Sequence, residues 1–103
     1  EKAVSNLEQA HAKHHRNALH YQIGKVCAEY NVQIEKGEKC LLLYLDNYSA
    51  KDGVPKAWAN YRLAQIKKYQ NEKKTSLKYI NLAIAELPKI DVFQEERKAI
   101  LAL

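Results

Sequence analysis

The stretch YRLAQIKKYQNEKKTSLKYINLAIAELP, from Tyr61 to Pro88, decides the fold predicted for this chain. Its first half has an apolar face that includes one small residue, formed by Tyr61, Leu63, Ala64 and Ile66. Its second half has the same kind of face at helical spacing, formed by Ser76, Ile80, Ala83 and Leu87. Pro88 ends the second helix because its ring forbids continuation. A helical hairpin cannot bury both of its faces alone, so the sequence predicts further helices packed against it.

Parts of this stretch recur earlier in the chain. A shift of 40 residues aligns Tyr21–Val26 (YQIGKV) with Tyr61–Ile66 (YRLAQI), which have aromatic, apolar and small residues in the same order. A shift of 39 residues aligns Gly37, Leu41 and Tyr44 with Ser76, Ile80 and Ala83. A shift of 34 residues aligns Ala3, Leu7 and Ala10 with Gly37, Leu41 and Tyr44. An insertion at residues 49–55 explains the longer shifts. Three phased copies therefore indicate a repeat architecture.

These positions resemble the tetratricopeptide repeat family, whose 34-residue helix-turn-helix unit combines large and small apolar positions and closes on proline. Leu63-Ala64 and Ile23-Gly24 are similar to the family's Leu-Gly pair, and Pro88 is similar to its closing proline. Tyr44 departs from the pattern, being large where the family has Ala. The resemblance implies an all-α fold: a right-handed α-α superhelix, or solenoid, of about two and a half helical hairpins plus a C-terminal capping helix.

The resemblance covers about residues 1–88 and organises the chain as a single domain. Its predicted parts are the second helix of an incomplete repeat (1–15), a second unit (16–48), an inserted loop (49–55), a third unit (56–88) and a capping helix (91–103). The chain contains no Met and opens within a repeat, so we expect it to be a fragment of a longer protein. The first helix would then have an uncovered apolar face, which predicts a homodimer through that helix.

Local signals set the expected bounds of the helices. Asn31 is a left-handed stop for a helix at about 16–30, and Asp52-Gly53 supplies turn chemistry in the inserted loop. The run Cys40–Leu45 is apolar on nearly all sides, which predicts that the helix at about 32–48 is covered on both sides. The third unit consists of helices at about 55–70 and 72–87.

The last predicted helix begins at Asp91, which is expected to be its N-cap. Two apolar stripes are expected on this helix, Phe93 with Ile100 and Val92 with Ala99 and Leu103. Four charged residues are expected to face water: Glu95, Glu96, Arg97 and Lys98.

The charge of the chain is unevenly distributed. The net charge is +5, and residues 51–87 carry 8 basic and 3 acidic side chains, while the two flanking parts are balanced. Five lysines surround the turn of the third unit: Lys67, Lys68, Lys73, Lys74 and Lys78. This concentration suits an acidic partner surface or a nucleic acid, although a solvated lysine-rich turn is the other interpretation. No apolar run approaches the length of a membrane span.

The cysteines and histidines give weak indications of a metal site. Cys27 and Cys40 lack metal-site spacing and are expected to be small buried hydrophobic residues, although a pairing between them stays open. His11 and His15 lie four residues apart, as in zinc-binding helices, but no carboxylate or cysteine nearby in sequence completes the set. We therefore expect neither a metal nor a cofactor.

In proteins that this sequence resembles, the first helix of each hairpin lines a concave groove that binds peptides or partner helices. The resemblance implies the following groove residues: Tyr21, Lys25, Glu29, Trp58, Tyr61, Arg62, Gln65 and Lys68. The alternative for the aromatic residues is core packing. Some members bind a C-terminal carboxylate with a Lys, Asn and Arg set; Arg62 fits that set, whereas Trp58 stands where those members have Lys.

The predicted function is that of a non-catalytic protein–protein interaction scaffold with a protein or peptide partner. The alternative is nucleic-acid or acidic-surface binding through the five lysines of the third unit. The sequence has no nucleophile-base pair, no Gly-rich phosphate loop and no paired carboxylates that would predict an enzyme.

Overall fold

A computed structural model describes residues 16–103, and the regular structure of that part is helical. Helix α1 spans Arg16–Tyr30, α2 Ile34–Asp46, α3 Lys56–Tyr69, α4 Lys73–Glu86 and α5 Asp91–Leu101, with a short 3-10 helix at Ala50–Asp52. Residues 16–103 contain no strand, which confirms the all-α prediction. The predicted bounds lie within about two residues of the observed ones, as is usual for helix ends. The helix predicted at residues 1–15, which contains Ala3, Leu7 and Ala10, lies outside the described residues, as does the homodimer expected through it.

The turns between the helices use left-handed backbone conformations where the sequence allows them. Asn31 has a φ of 51° and ends α1, which confirms it as a left-handed stop. Asn71, with a φ of 60°, has the same conformation after α3. In the inserted loop Gly53 has a φ of 85°, and no atom lies within 4 Å of the position its Cβ would take. Glycine at this position is therefore favoured by the backbone conformation and not by lack of space.

The helices of each hairpin approach closely where the sequence has small residues. A Cβ on Gly24 would lie 2.3 Å from Cγ of Leu41, and a Cβ on Gly37 would lie 2.5 Å from Cβ of Cys27. In the next hairpin Ala64 and Ser76 are fully buried. The small residues therefore lie where the two helices of a hairpin meet.

Neighbouring helices pack in a regular order. Helix α1 packs on α2 and α3 packs on α4, while α3 also contacts α1 and α2, and α5 packs on α4 and touches α3. The radius of gyration is 13.2 Å, close to the ~13 Å expected for a compact domain of about 100 residues. The arrangement brings the first helices of the two hairpins, α1 and α3, next to each other.

The C-terminal helix differs from the expectation in three respects. Ile90, not Asp91, is the N-cap residue, and no side chain caps this helix end. Phe93 and Ile100 are fully buried, whereas Val92, Ala99 and Leu103 are exposed, so only one of the two apolar stripes packs on the protein. Glu96 was expected to face water but is only 8% exposed, because it lies on the buried stripe between Phe93 and Ile100 and pairs with Lys68 of α3.

Helix α2 is covered on one face by the described residues. It buries Gly37, Cys40, Leu41 and Tyr44, whereas Leu42 and Leu43 are 39% and 36% exposed. The expected cover on both sides is therefore not found among residues 16–103. An apolar run shows how many faces of a helix tolerate burial, but the position of its neighbours decides which ones are buried.

Candidate functional site

An open cleft lies between α1, α3 and the inserted loop. It has a volume of about 410 Å³ and opens to solvent. Its lining comes from three segments: Tyr21, Gln22 and Lys25 of α1, Gly53, Val54 and Pro55 of the loop, and Trp58 and Arg62 of α3. Four of the eight predicted groove residues therefore line one surface depression: Tyr21, Lys25, Trp58 and Arg62.

Helical spacing explains why these four residues meet. Tyr21 and Lys25 are four residues apart on α1, and Trp58 and Arg62 are four residues apart on α3. Side chains at this spacing lie on the same face of a helix, one turn above the other. Because α1 packs against α3, their facing residues line one cleft.

Tyr21 lines the cleft and packs against Tyr44, which lies behind it in the core. Tyr21 is only 5% exposed, and its ring centroid lies 5.5 Å from that of Tyr44. Tyr44, which stands where the resembled family has Ala, is fully buried and donates a hydrogen bond from its hydroxyl to the carbonyl of Val54. Burial and the nearby charge of Asp52 raise the pKa of Tyr44 to about 12. Tyr21 therefore lines the cleft but exposes little of its own surface.

A polar network anchors the inserted loop to the helices behind it. Asn17 of α1 donates from Nδ2 to the carbonyl of Tyr44 at 3.1 Å and to Oδ2 of Asp52 at 2.8 Å. The backbone N–H of Ser49 donates to the same oxygen of Asp52 at 2.8 Å. These bonds, together with that from Tyr44 to Val54, hold the loop against α1 and α2. Contacts within the protein therefore hold the loop wall of the cleft in position.

Trp58 and Tyr61 both contribute to the core and remain partly accessible. The ring of Phe93 on α5 has its centroid 4.8 Å from that of Trp58 and 5.1 Å from that of Tyr61. Trp58 and Tyr61 also contact each other edge to face, with 5.8 Å between their centroids. Both side chains are half-buried. Trp58 therefore combines core packing with a place in the cleft lining, whereas Tyr61 packs in the core without lining the cleft.

A chain of side chains on α3 holds Arg62 beside the cleft. Arg62 donates from Nη1 to Oε1 of Gln65 at 3.0 Å, and Gln65 donates from Nε2 to the hydroxyl of Tyr61 at 3.4 Å. The guanidinium carbon of Arg62 lies 4.9 Å from the centroid of the Tyr61 ring, a cation–π distance. Burial raises the pKa of the Tyr61 phenol, and the charge of Arg62 opposes that rise. Arg62, Gln65 and Tyr61 are therefore positioned by one another.

The remaining predicted groove residues do not line the cleft. Glu29 lies on α1 with Oε1 at 3.9 Å from Nζ of Lys25, an exposed pair across one helical turn. Lys68 extends to Glu96 of α5, with 2.8 Å between Nζ and Oε2. Lys68 therefore contributes to the contact between α3 and α5.

Comparison of the chain with family models, curated proteins and solved structures finds no match. The resemblance to tetratricopeptide repeats therefore rests on the residues and their spacing.

Half of the cleft lining was not predicted from the sequence. Gln22 and the three loop residues, Gly53, Val54 and Pro55, were not among the predicted groove residues. The position of the insertion was the available signal, because a loop that leads directly into α3 must pass the start of that helix. The sequence placed the insertion correctly but did not show that the loop folds back against α1.

The five lysines of the third unit do not act as one uniform basic set. Lys67 Nζ lies 2.9 Å from Oε2 of Glu38 and 3.6 Å from Oε2 of Glu72. Desolvation opposes the charge of Lys67, but the hydrogen bonds and charges of these two carboxylates outweigh it and raise the pKa of Lys67. Lys68 pairs with Glu96, and Lys73 donates to the carbonyl of Leu101 at 3.0 Å. Lys78 lies over the ring of Tyr79, and Lys74 is exposed.

The cysteines are buried, as predicted, and no disulfide involves either of them within residues 16–103. Burial raises the pKa of the Cys40 thiol, and the charges of Lys36 and Lys39 partly oppose this effect. His11 and His15 lie outside the described residues; the part of the chain that is described has no group of three or more metal-ligating side chains. None of the helices in that part is both long and apolar enough to cross a membrane.

Proposed function

We propose that this protein is a non-catalytic interaction scaffold of stacked helical hairpins that binds a peptide or partner helix along α1 and α3. In this proposal α5 acts as the capping helix, and the concave side carries the cleft. The observation that carries the proposal is the meeting of Tyr21, Lys25, Trp58 and Arg62 in one open cleft. Rigid aromatic rings and cations on a preformed surface are the residue types that dominate binding in protein interfaces.

The packing of the helices supports a binding role for this face. The ring of Trp58 packs on that of Phe93 and remains partly exposed where it lines the cleft. Binding of a partner to this ring therefore costs little side-chain entropy on the scaffold side. The loop wall, fixed by Asn17 and Asp52, has the same advantage.

Trp58 allows a direct test because it is the single tryptophan of the chain. We would select binders from a library of short random peptides with blocked ends and then titrate them against the protein while recording Trp58 emission. We expect the selected peptides to shift the Trp58 emission, and the shift to saturate as the peptide concentration rises. A failure to select any peptide, or binding that leaves the emission unchanged, would contradict binding at this cleft.

A variant that fills the cleft tests where the peptide binds, and a matched variant on α5 is its control. Gln22→Phe adds a ring to the half-buried α1 wall, and should weaken binding of a labelled peptide in fluorescence anisotropy. Gln94→Phe adds the same ring to an exposed position of α5 and should bind like the unmodified protein. Equal weakening by both variants would indicate a general effect of an added surface ring.

A further inference from the structure

The charged groups that line the cleft are all basic. Lys25 and Arg62 are the two cations of the lining, and no Asp or Glu is among its residues. The nearest acidic group on α1, Glu29, lies beside Lys25 at 3.9 Å. A ligand in the cleft therefore meets a positive surface with one carboxylate at its side.

Arg62 differs from the other partly buried cations of α3. Lys67 and Lys68 each have a carboxylate oxygen within 3 Å, whereas no carboxylate of residues 16–103 lies within 4.0 Å of the Arg62 guanidinium. Its Nη1 donates to Gln65, and its Nε is buried without an acceptor among residues 16–103. A buried donor without an acceptor and a partly desolvated charge without a counterion are both unfavourable. The positive charge of Arg62 is therefore not balanced by any carboxylate of the described residues.

We propose that the cleft binds an acidic side chain from an internal segment of a protein partner, with its carboxylate paired with the guanidinium of Arg62. This inference rests on the proposed function and names the chemistry of the partner. Lys25 adds a second positive charge, and Trp58 and Pro55 offer apolar contact to the residue next to the acidic one. The cleft is open to solvent, so a peptide chain can cross it without ending there.

The charge balance favours a carboxylate over a phosphate group. A carboxylate carries one negative charge, which matches the single net positive charge left by Lys25 and Arg62 with Glu29 beside them. A phosphate carries between one and two charges and three acceptor oxygens, and would lie near the carboxylate of Glu29 with few further donors in the lining. The site therefore matches Asp or Glu better than a phosphorylated residue or a nucleic-acid backbone.

Peptide selection with charge-reversed variants tests this inference. From random peptides with blocked ends, the unmodified protein should enrich Asp or Glu next to an apolar residue. Arg62→Glu should lose at least about tenfold in affinity for those peptides and should enrich Lys or Arg in their place. Lys89→Glu makes the same change of charge in the exposed turn before α5, and should keep the acidic preference.

The outcomes separate this inference from the proposed function. Peptides that shift Trp58 emission without an acidic preference, or that bind Arg62→Glu equally well, would overturn the inference and leave the scaffold proposal standing. Selection only from a second library with free C-termini would show that a chain end occupies the cleft, and would also overturn it. So would tighter binding of phosphopeptides or of a random oligonucleotide. No enrichment in any library would instead refute the scaffold proposal.

A second variant keeps the test decisive if Arg62→Glu unfolds. Circular dichroism would establish the helical content of each variant before binding is measured. Lys25→Glu changes a partly exposed side chain on α1 and should also weaken the selected acidic peptides, by less than Arg62→Glu. Unchanged binding by a folded Lys25→Glu, with Arg62→Glu unfolded, would count against the inference.

Discussion

The hydroxyl of Ser76 on α4 donates a 2.7 Å hydrogen bond to the backbone carbonyl of Ala64 on α3. Both residues are fully buried, so the bond joins the two helices inside the hairpin. A side chain as short as serine reaches the backbone of a neighbouring helix only where the helices approach closely. This contact shows that the small residues of the second hairpin lie at its crossing, and it leads to the first prediction.

Enlarging a small residue at this crossing should destabilise the protein. Ala83 lies on α4 two turns after Ser76 and is fully buried against the cluster that contains Ile80 and Phe93. Ala83→Leu should lower the free energy of unfolding by roughly 1–3 kcal/mol, because a well-packed core cannot admit three further carbon atoms without strain. Urea denaturation would measure the change. Ala85→Leu makes the same substitution at an exposed position of the same helix and should have little effect; equal effects of the two would contradict the packing.

Glycine should be required at position 24 because there is no room for a Cβ atom there, although alanine has the higher helix propensity. A Cβ at this position would lie 2.3 Å from Cγ of the fully buried Leu41. We expect Gly24→Ala to destabilise the protein even though alanine in a helix normally gains about 1 kcal/mol over glycine. In the background of Leu41→Ala the same substitution should become neutral or stabilising, because the obstructing side chain is gone. A double-mutant cycle by thermal denaturation would measure this coupling, and additive effects would contradict the close contact.

The stability of the protein should fall at high pH, in part through Tyr44. Because the folded state raises the pKa of this phenol to about 12 from the ordinary value of 10.0, folding favours the protonated form. This stabilisation is complete below pH 10 and is lost as the pH rises from about 10 to 12. Tyr44→Phe should therefore show a shallower decline in this range, measured by urea denaturation at each pH. At neutral pH the variant should lose about 0.5–1.5 kcal/mol with the hydrogen bond to Val54. Parallel pH profiles for the two proteins would refute the assignment.

Glu96 should contribute more to stability than its exposed neighbour. Its Oε2 lies 2.8 Å from Nζ of Lys68, and the residue is largely shielded from water by α3 and α5. Glu96→Ala should cost about 1–3 kcal/mol, as expected for an ion pair between partly buried charges whose removal leaves Lys68 without its counterion. Glu95→Ala, at an exposed position, is the matched control. Thermal denaturation of both variants would measure their losses of stability. Equal losses would show that the pair of Glu96 and Lys68 adds nothing to stability.

The sequence was informative about features that depend on nearby residues. The small residues Gly24, Gly37, Ala64 and Ser76 were identified by their spacing, and each lies at a helix contact. Asn31 was identified as a helix stop by its tolerance of the left-handed conformation, which it adopts. These features follow from helical periodicity and backbone sterics, which act over a few residues.

Other features depended on residues far apart in the chain, and sequence reasoning missed them. Glu96 was placed in water because its neighbours Glu95, Arg97 and Lys98 are charged, but its partner Lys68 lies on another helix. An apolar run does not show which neighbours will face it, and among residues 16–103 the cover of α2 lies on one face. The inserted loop was located, yet its bonds to Asn17 and Tyr44 could not be foreseen.

By itself, the sequence determined the helices of residues 16–103, the left-handed turn at Asn31 and the small residues at which helices meet. The tertiary structure alone decided which charges are paired, where the loop folds back and that Arg62 lacks a carboxylate within 4.0 Å among the described residues. The physical reason is the distance along the chain over which each interaction acts. Periodicity and backbone conformation are local properties of the chain, whereas ion pairs and clefts arise between segments that only folding brings together.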